Sequence, residues 1–169
     1  SKPSGEFYLT FSSPNSFSLE IEENTKTWDG TLEYFAFDET WTVWGGTNSL
    51  SATYNGIEYV LYLRGIGNTI ITGINSSKWL LNGSDIACIG NIEVLLDYAT
   101  VESGEHPVMG DNCYKNMFRG CTSLTQAPEL PATTLADNCY RDMFWGCTSL
   151  TQVPALPATT LTPSCYRGM

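Results

Sequence analysis

Apolar and polar side chains alternate along several short stretches of residues 1–110. Residues 7–11 read Phe-Tyr-Leu-Thr-Phe and residues 17–21 read Phe-Ser-Leu-Glu-Ile. Because successive side chains of a β-strand point to opposite faces, this alternation predicts strands with one buried face. Further candidate strands cover residues 32–37, 40–44, 57–63, 69–72, 78–81 and 86–89, and glycine-containing turn signals lie at 29–30, 45–46, 55–56, 67–68 and 82–83.

No convincing helical pattern interrupts this series of strands. About eight short strands separated by tight turns are typical of all-β domains. The pattern therefore predicts a mainly β fold for residues 1–83, built as a jelly-roll-like β-sandwich, with a barrel as the alternative.

A tandem repeat occupies the C-terminal part of the chain. Copy 1 (residues 112–137) and copy 2 (residues 138–163) are identical at 19 of 26 positions, and copy 3 begins at Ser164. Tandem similarity at such a period indicates a solenoid, in which each unit buries its apolar face against the next one. Residues 112–169 are therefore assigned to the repeats.

Apolar residues within each copy recur at a helix-like spacing. They lie at i, i+1, i+4, i+5 and i+8, which predicts a short helix with one buried stripe. Gly120 and Gly146 suit the C-terminal cap of that helix, and Leu124 or Leu150 opens a short strand that ends at a proline. The predicted buried residues are Cys113, Met117, Phe118, Cys139, Met143 and Phe144, and the predicted exposed ones are Lys115, Arg119 and Arg141.

Residues 84–111 join the β domain to the repeats. The apolar stretch 86–96 suits either the last strand of the sandwich or a strand that caps the solenoid. We favour the cap, because an uncapped solenoid end would expose core residues.

The copies resemble a known family through the motif MF-x-GCTSLT-x-x-P-x-LPATTL. This motif is similar to that of the BspA-like leucine-rich-repeat proteins of bacterial surfaces, and the similarity covers residues 112–169, with 91–98 and 106–110 resembling the segment that leads into such arrays. The resemblance implies a leucine-rich-type α/β solenoid with short helices and a role in adhesion or host interaction, without catalytic residues. Similar arrays also occur in phage tail or fibre proteins. Because the family usually has many copies and no phenylalanine follows Met169, we expect a truncated array.

Charge is distributed unevenly and excludes one class of partner. Residues 1–110 carry 14 acidic and 4 basic side chains, residues 111–169 carry 4 of each, and the formal net charge is −10. A negative surface repels phosphate backbones, so we expect no nucleic-acid partner. No apolar run reaches the roughly 20 residues of a transmembrane helix. We expect an extracellular or bacterial cell-surface location, with signal and anchor outside this sequence.

The six cysteines raise the alternatives of disulfides and metal binding. On a helix, Cys113 and Cys121 would lie about 12 Å apart, beyond the roughly 7 Å limit for a disulfide. Cys121 and Cys147 of adjacent copies could approach to about 5 Å and bridge, but we favour buried free thiols, with Cys88 as a core residue. The spacing does not suit zinc, and the acidic pairs at 22–23 and 38–39 lack the pattern of a calcium loop. We expect no metal and no cofactor.

Candidate catalytic groups are few. The single histidine, His106, precedes Pro107 and has no cysteine beside it in the sequence, so we expect a surface histidine. The acidic residues form no recognisable pair of the kind that glycoside hydrolases use. We therefore predict that the chain is not an enzyme.

Trp145 is the most informative surface candidate. It replaces Arg119 of copy 1 and lies near Arg141, and tryptophan with arginine is typical of interaction hot spots. Packing of Trp145 against the neighbouring copy is the alternative. The predicted interaction surface consists of Trp145, Arg141, Arg119 and Lys115, whereas Trp28, Trp41, Trp44 and Trp79 are expected mostly in the core, where one on a sandwich face could stack on a sugar.

These patterns predict a non-enzymatic, extracellular binding or adhesion module. Its expected partner is a protein or glycan on a host or neighbouring cell. The alternatives are a structural or receptor-binding component of a phage tail fibre and a carbohydrate-binding module of a larger secreted enzyme.

Overall fold

The computed structural model describes residues 1–169 and has a mainly β fold, as predicted. The strands are β1 (Leu9–Ser13), β2 (Ser18–Ile21), β3 (Thr31–Phe35), β4 (Trp41–Trp44), β5 (Leu50–Ser51), β6 (Thr53–Tyr54), β7 (Tyr59–Ile66), β8 (Trp79–Asn82), β9 (Ile86–Ile89) and β10 (Leu124–Gln126). One helix, α1 (Val94–Glu102), follows β9. No helix has the length and apolar content needed to cross a bilayer.

The strands form two sheets. The seven-stranded sheet has the order β10-β9-β1-β7-β3-β4, with β6 also pairing with β7, and the three-stranded sheet has the order β5-β2-β8. The larger sheet is mixed, because β10 runs parallel to β9 while its other pairs are antiparallel. Neither sheet closes on itself, so the alternative prediction of a barrel is wrong.

Both sheets and the repeats contribute to one apolar core. Leu9 and Phe11 of β1 face inward opposite Leu63 and Leu61 of β7. The indoles of Trp28, Trp44 and Trp79 pack against one another with ring centroids 5.2–6.5 Å apart. The core continues without a break from β1 to Cys165, so the predicted boundaries after residues 83 and 111 lie within a single core.

One predicted strand is absent from the structure, and one helix is present that the sequence did not predict. Residues 69–72 form no strand, because the amides of Ile71 and Thr72 both donate to the carbonyl of Cys113 instead of to a neighbouring strand. The helix α1 was not predicted, since its first turn, Val94–Leu96, is buried on all sides and shows no amphipathic period. It packs on β7 at Gly65, where a Cβ would overlap the carbonyl of Leu95.

The helices predicted within the copies are also wrong, because residues 111–120 and 137–146 form consecutive turns. The residues Asn112, Asn116 and Gly120 have φ of 62°, 62° and 71°, so the left-handed conformation recurs at every fourth position. A right-handed helix cannot pass through such residues. The equivalent residues of copy 2, Asn138, Asp142 and Gly146, repeat these angles at 56°, 55° and 76°.

Backbone hydrogen bonds join the turns of one copy to those of the next. In copy 1 every second amide, those of residues 112, 114, 116, 118 and 120, donates at 2.6–3.0 Å to a carbonyl of copy 2 or of the residue before it, namely residues 137, 139, 141, 143 and 145 in that order. The amides between them, such as that of Met117, donate to the carbonyl three residues earlier. We call this arrangement the turn ladder. It continues between copies 2 and 3, where the amides of Asn138, Tyr140 and Asp142 donate to residues 163, 165 and 167.

The turn ladder places equivalent side chains above one another. The rings of Tyr114, Tyr140 and Tyr166 stack nearly parallel at 5.7 and 5.8 Å, and those of Phe118 and Phe144 stack at 5.9 Å. The six residues predicted to be buried, Cys113, Met117, Phe118, Cys139, Met143 and Phe144, are all buried. The predicted stripe is therefore correct even though the helix that suggested it is absent.

Residues 69–92 cover the side of copy 1 that faces away from copy 2. The amides of Trp79, Ile86 and Ile92 donate to the carbonyls of Met117, Ser123 and Glu129. Strand β9, residues 86–89, pairs with both β1 and β10. This stretch is therefore a strand of the seven-stranded sheet that also contacts copy 1, whereas its role as the cap of a solenoid stays a prediction.

We expect the stacked aromatic rings to carry much of the stability of the repeats. Phe118→Ala should lower the free energy of unfolding by about 3–5 kcal/mol, because it opens a cavity between Phe11 and Phe144. Trp145→Ala serves as the control and should cost less than about 1 kcal/mol, since this side chain is largely exposed. Urea unfolding followed by circular dichroism measures both. Equal losses would contradict the burial pattern.

Candidate functional site

The four predicted interaction residues occupy two equivalent positions in adjacent copies. Lys115 of copy 1 is equivalent to Arg141 of copy 2, and Arg119 is equivalent to Trp145. Each immediately precedes a left-handed residue in the turn ladder, and these are among the positions at which the copies differ. The ladder therefore gathers these four side chains into two neighbouring columns, which we call the turn surface.

Trp145 and Arg119 form the centre of the turn surface. The guanidinium carbon of Arg119 lies 4.7 Å from the centroid of the Trp145 ring, within the range of a cation–π interaction. The Nη1 atom of Arg119 also lies 3.6 Å from the Oδ2 atom of Asp142. Trp145 remains 54% exposed, so it contacts its neighbour and still presents a ring face to solvent. The alternative of packing against the neighbouring copy is thus observed in part, and a role of Trp145 in an interaction stays a prediction.

The basic residues are less exposed than the sequence predicted. Lys115, Arg119 and Arg141 are half-buried rather than exposed. Arg141 Nε lies 3.9 Å from Asp142, beyond hydrogen-bonding distance, and donates no hydrogen bond within the chain. This nitrogen is itself buried, so a ligand cannot reach it in this conformation.

A cavity of about 310 Å³ adjoins the turn surface beside Arg119. Its walls are residues 78–83, which include β8, and residues 119–123 of copy 1. No pattern in the sequence indicated this cavity, because its two walls come from distant parts of the chain. Such a volume is at the lower end for small-ligand pockets.

The basic column extends beyond the predicted residues. Arg167 of copy 3 is equivalent to Lys115 and Arg141, so three cations recur at one repeat position. Asp142 is the only acidic side chain that pairs with the turn surface, through Arg119 and Arg141. The turn surface is therefore a basic region on an otherwise acidic chain, and anions are the ligands it favours electrostatically.

A second arginine is held by aromatic rings on the outer face of the seven-stranded sheet. The guanidinium carbon of Arg64 lies 4.2 Å from the Trp41 centroid and 4.1 Å from the Tyr98 centroid. Its Nε donates to Glu33 at 2.8 Å. These contacts satisfy Arg64 within the protein, and they tie α1 to the sheet. We assign this cluster to stability.

The single histidine contacts a buried carboxylate. His106 Nδ1 lies 2.8 and 2.9 Å from the two carboxylate oxygens of Glu93, which is only 2% exposed. The His106 side chain is half-exposed, so the prediction of a surface histidine is correct, but the sequence did not reveal its partner. The pair compensates a carboxylate that would otherwise be buried alone, and it fastens the approach to copy 1 onto α1.

All six cysteines are buried free thiols. Burial raises the pKa of Cys139 to about 12 and that of Cys147 to about 11, and it raises the pKa values of Cys88 and Cys113 well above the ordinary range. The thiol of Cys147 also donates to the carbonyl of Phe118 at 2.9 Å. The protonated thiol is a poor nucleophile and a poor metal ligand. No group of three or more His, Cys, Asp or Glu side chains is arranged to hold a metal ion.

Comparison with protein-family models, curated proteins and solved structures finds no match to this chain. The resemblance to BspA-like proteins thus depends on the repeat motif alone.

The raised thiol pKa values predict a loss of stability in alkali. The folded thiols of Cys139 and Cys147 stay protonated up to pH 11–12, whereas thiols of the unfolded chain ionise near pH 8.5–9. Their stabilising contribution is present below pH 8.5 and declines as the pH rises towards 12. The urea midpoint should therefore fall above pH 9, and less steeply in Cys139→Ala. Rapid alkylation of the native thiols at pH 8 would contradict this expectation.

Removal of His106 should destabilise the approach to copy 1. His106→Ala leaves the Glu93 carboxylate buried without its partner and should cost about 1–3 kcal/mol. The neighbouring variant Glu105→Ala is the control and should change stability by less than about 0.5 kcal/mol, because this side chain is exposed. Thermal unfolding of both variants at one pH provides the comparison. Identical melting temperatures would show that the pair is unimportant.

Proposed function

We propose that this protein is a non-enzymatic, extracellular binding module in which the turn surface holds an anionic ligand on a host or neighbouring cell. The observation that supports this proposal is the exposed ring of Trp145 stacked on Arg119 between cationic side chains at recurring repeat positions. Aromatic and arginine side chains supply most of the binding energy in many interfaces. A glycan with carboxylate or sulfate groups suits both features, because a sugar ring can stack on the indole while the anion pairs with arginine.

The architecture of the proposed module is a truncated leucine-rich-type solenoid set on a β-sandwich. Support comes from the turn ladder, which recurs with the period of the sequence repeat, and from the cap that residues 69–92 provide. The two sheets would be the layers of the sandwich, since both contribute side chains to the shared core. In this arrangement the β-sandwich serves as the base and the repeats display the turn surface. The surface location follows the motif resemblance to bacterial surface proteins.

Absence of catalysis is part of the same proposal. The thiols are buried, and His106 is engaged with Glu93. Nucleophilic catalysis requires an accessible thiolate or an activated hydroxyl beside a free base. The groups that would be needed are thus occupied in holding the fold.

The proposal can be tested with a glycan array. We expect binding to carboxylated or sulfated glycans that weakens as salt is raised, because exposed charges are screened. Trp145→Ala and Arg119→Ala should each weaken binding by about tenfold, the loss expected from a hot-spot residue. Lys26→Ala removes an exposed lysine outside the turn surface and should bind as the unmodified protein does.

Two results would reject this function. Binding that survives both turn-surface substitutions would place the ligand elsewhere. Reproducible hydrolysis of a bound polysaccharide would make the chain an enzyme.

A further inference from the structure

A cleft of about 700 Å³ separates the proline-containing segments of copies 1 and 2. Its walls are residues 125–131 of copy 1 and residues 151–155 and 157 of copy 2. Side chains tie the two copies together on either side of it, since Ser149 donates to the carbonyl of Thr122 and Thr162 donates to that of Ala136. Between these ties no backbone hydrogen bond joins the two copies. The cleft is distinct from the turn surface.

The cleft lies along a free edge of the seven-stranded sheet. Strand β10 is the last strand of this sheet, and only β9 pairs with it. Just beyond β10, the amide of Ala127 makes no hydrogen bond within the chain, and neither do those of Gln152 and Val153 on the facing wall. Unpaired amides and carbonyls along a strand edge are a template for another strand.

We propose that the cleft binds an extended peptide segment, which pairs with β10 as an additional strand of the sheet. The continuity with the sheet specifies the conformation of the ligand, because main-chain groups at a free edge are complementary to a β-strand. The volume is within the range of small-ligand pockets and accommodates a short stretch of extended chain. Val153 is 79% exposed and provides an apolar contact for alternate side chains.

Charge specifies the ligand further. Glu129 is the only charged residue of the lining, and it is exposed at the cleft. A peptide with lysine at its outward positions is therefore favoured over a neutral one, and a peptide with aspartate is disfavoured. This inference does not depend on the proposed function, since the two sites share no residue.

Fluorescence anisotropy with labelled heptapeptides tests the proposal. Three peptides of alternating valine and a polar residue, which is lysine, threonine or aspartate, are titrated with the full chain. We expect saturable binding with affinity falling in that order. The lysine peptide with alternate amides methylated should bind at least about tenfold more weakly, because it cannot pair with β10.

Matched variants locate the bound peptide. Val153→Arg fills the cleft with a charged side chain and should weaken binding by about tenfold or more. Val43→Arg changes another exposed valine, on β4 at the opposite edge of the same sheet, and should leave binding unchanged. Trp145→Ala should also leave peptide binding unchanged, so failure of this proposal is separable from failure of the glycan proposal.

The double variant Ala127→Cys with Val153→Cys tests whether the cleft is open. These two positions are equivalent in copies 1 and 2 and both line the cleft, so an open cleft should keep the new thiols apart and reduced in air. Spontaneous disulfide formation would show that copies 1 and 2 close on each other and would overturn the proposal. Equal binding of the methylated peptide, or no binding of any peptide by the folded protein, would overturn it as well.

Discussion

The hydrogen bonds of the turn ladder are the constraint on which the C-terminal part of this protein depends. A left-handed residue at every fourth position turns alternate amides outward, and the next copy supplies their acceptors. Asparagine, aspartate and glycine tolerate this conformation at low cost. Because each copy satisfies the backbone of its neighbour, the period of the sequence becomes the period of the structure, and the buried tyrosine and phenylalanine rings stack in register.

Copy 1 has no preceding copy to hydrogen-bond with, and residues 69–92 of the β domain take that place. Several amides of residues 69–92 donate hydrogen bonds to carbonyls of copy 1. Strand β9 lies between β1 and β10 and joins them within one sheet. The apolar core is consequently continuous from the tryptophan cluster to the third copy. A substitution that destabilises the repeats should therefore also destabilise the sheets, and we expect the chain to unfold as one cooperative unit.

The two candidate binding regions arise from the same geometry in different ways. On the turn surface the ladder is intact, so variable side chains at equivalent positions are brought into columns, and the replacement of arginine by tryptophan in copy 2 creates the pair of Arg119 and Trp145. At the proline-containing segments the ladder is absent, since proline lacks an amide proton and restricts the residue before it. There the copies separate, and main-chain groups remain unpaired. The turn surface thus presents side chains to a ligand, whereas the cleft presents unpaired main-chain amides and carbonyls.

The sequence by itself determined the mainly β character, the repeated copies, the buried stripe and the site positions that vary between copies, because alternation, tandem identity and spacing are properties of neighbouring residues. It predicted helices where turns occur, since an apolar spacing of four suits both, and the signal that distinguished them was the left-handed series Asn112, Asn116 and Gly120. Only the tertiary structure decided which groups meet across long separations: each ladder amide with its partner in the next copy, Glu93 with His106, and β10 with β9. Helix α1 was not predicted either, because the buried first turn, Val94–Leu96, carries no amphipathic pattern. Such pairings depend on which surfaces meet in the folded chain, and a linear pattern of residue types does not contain that information.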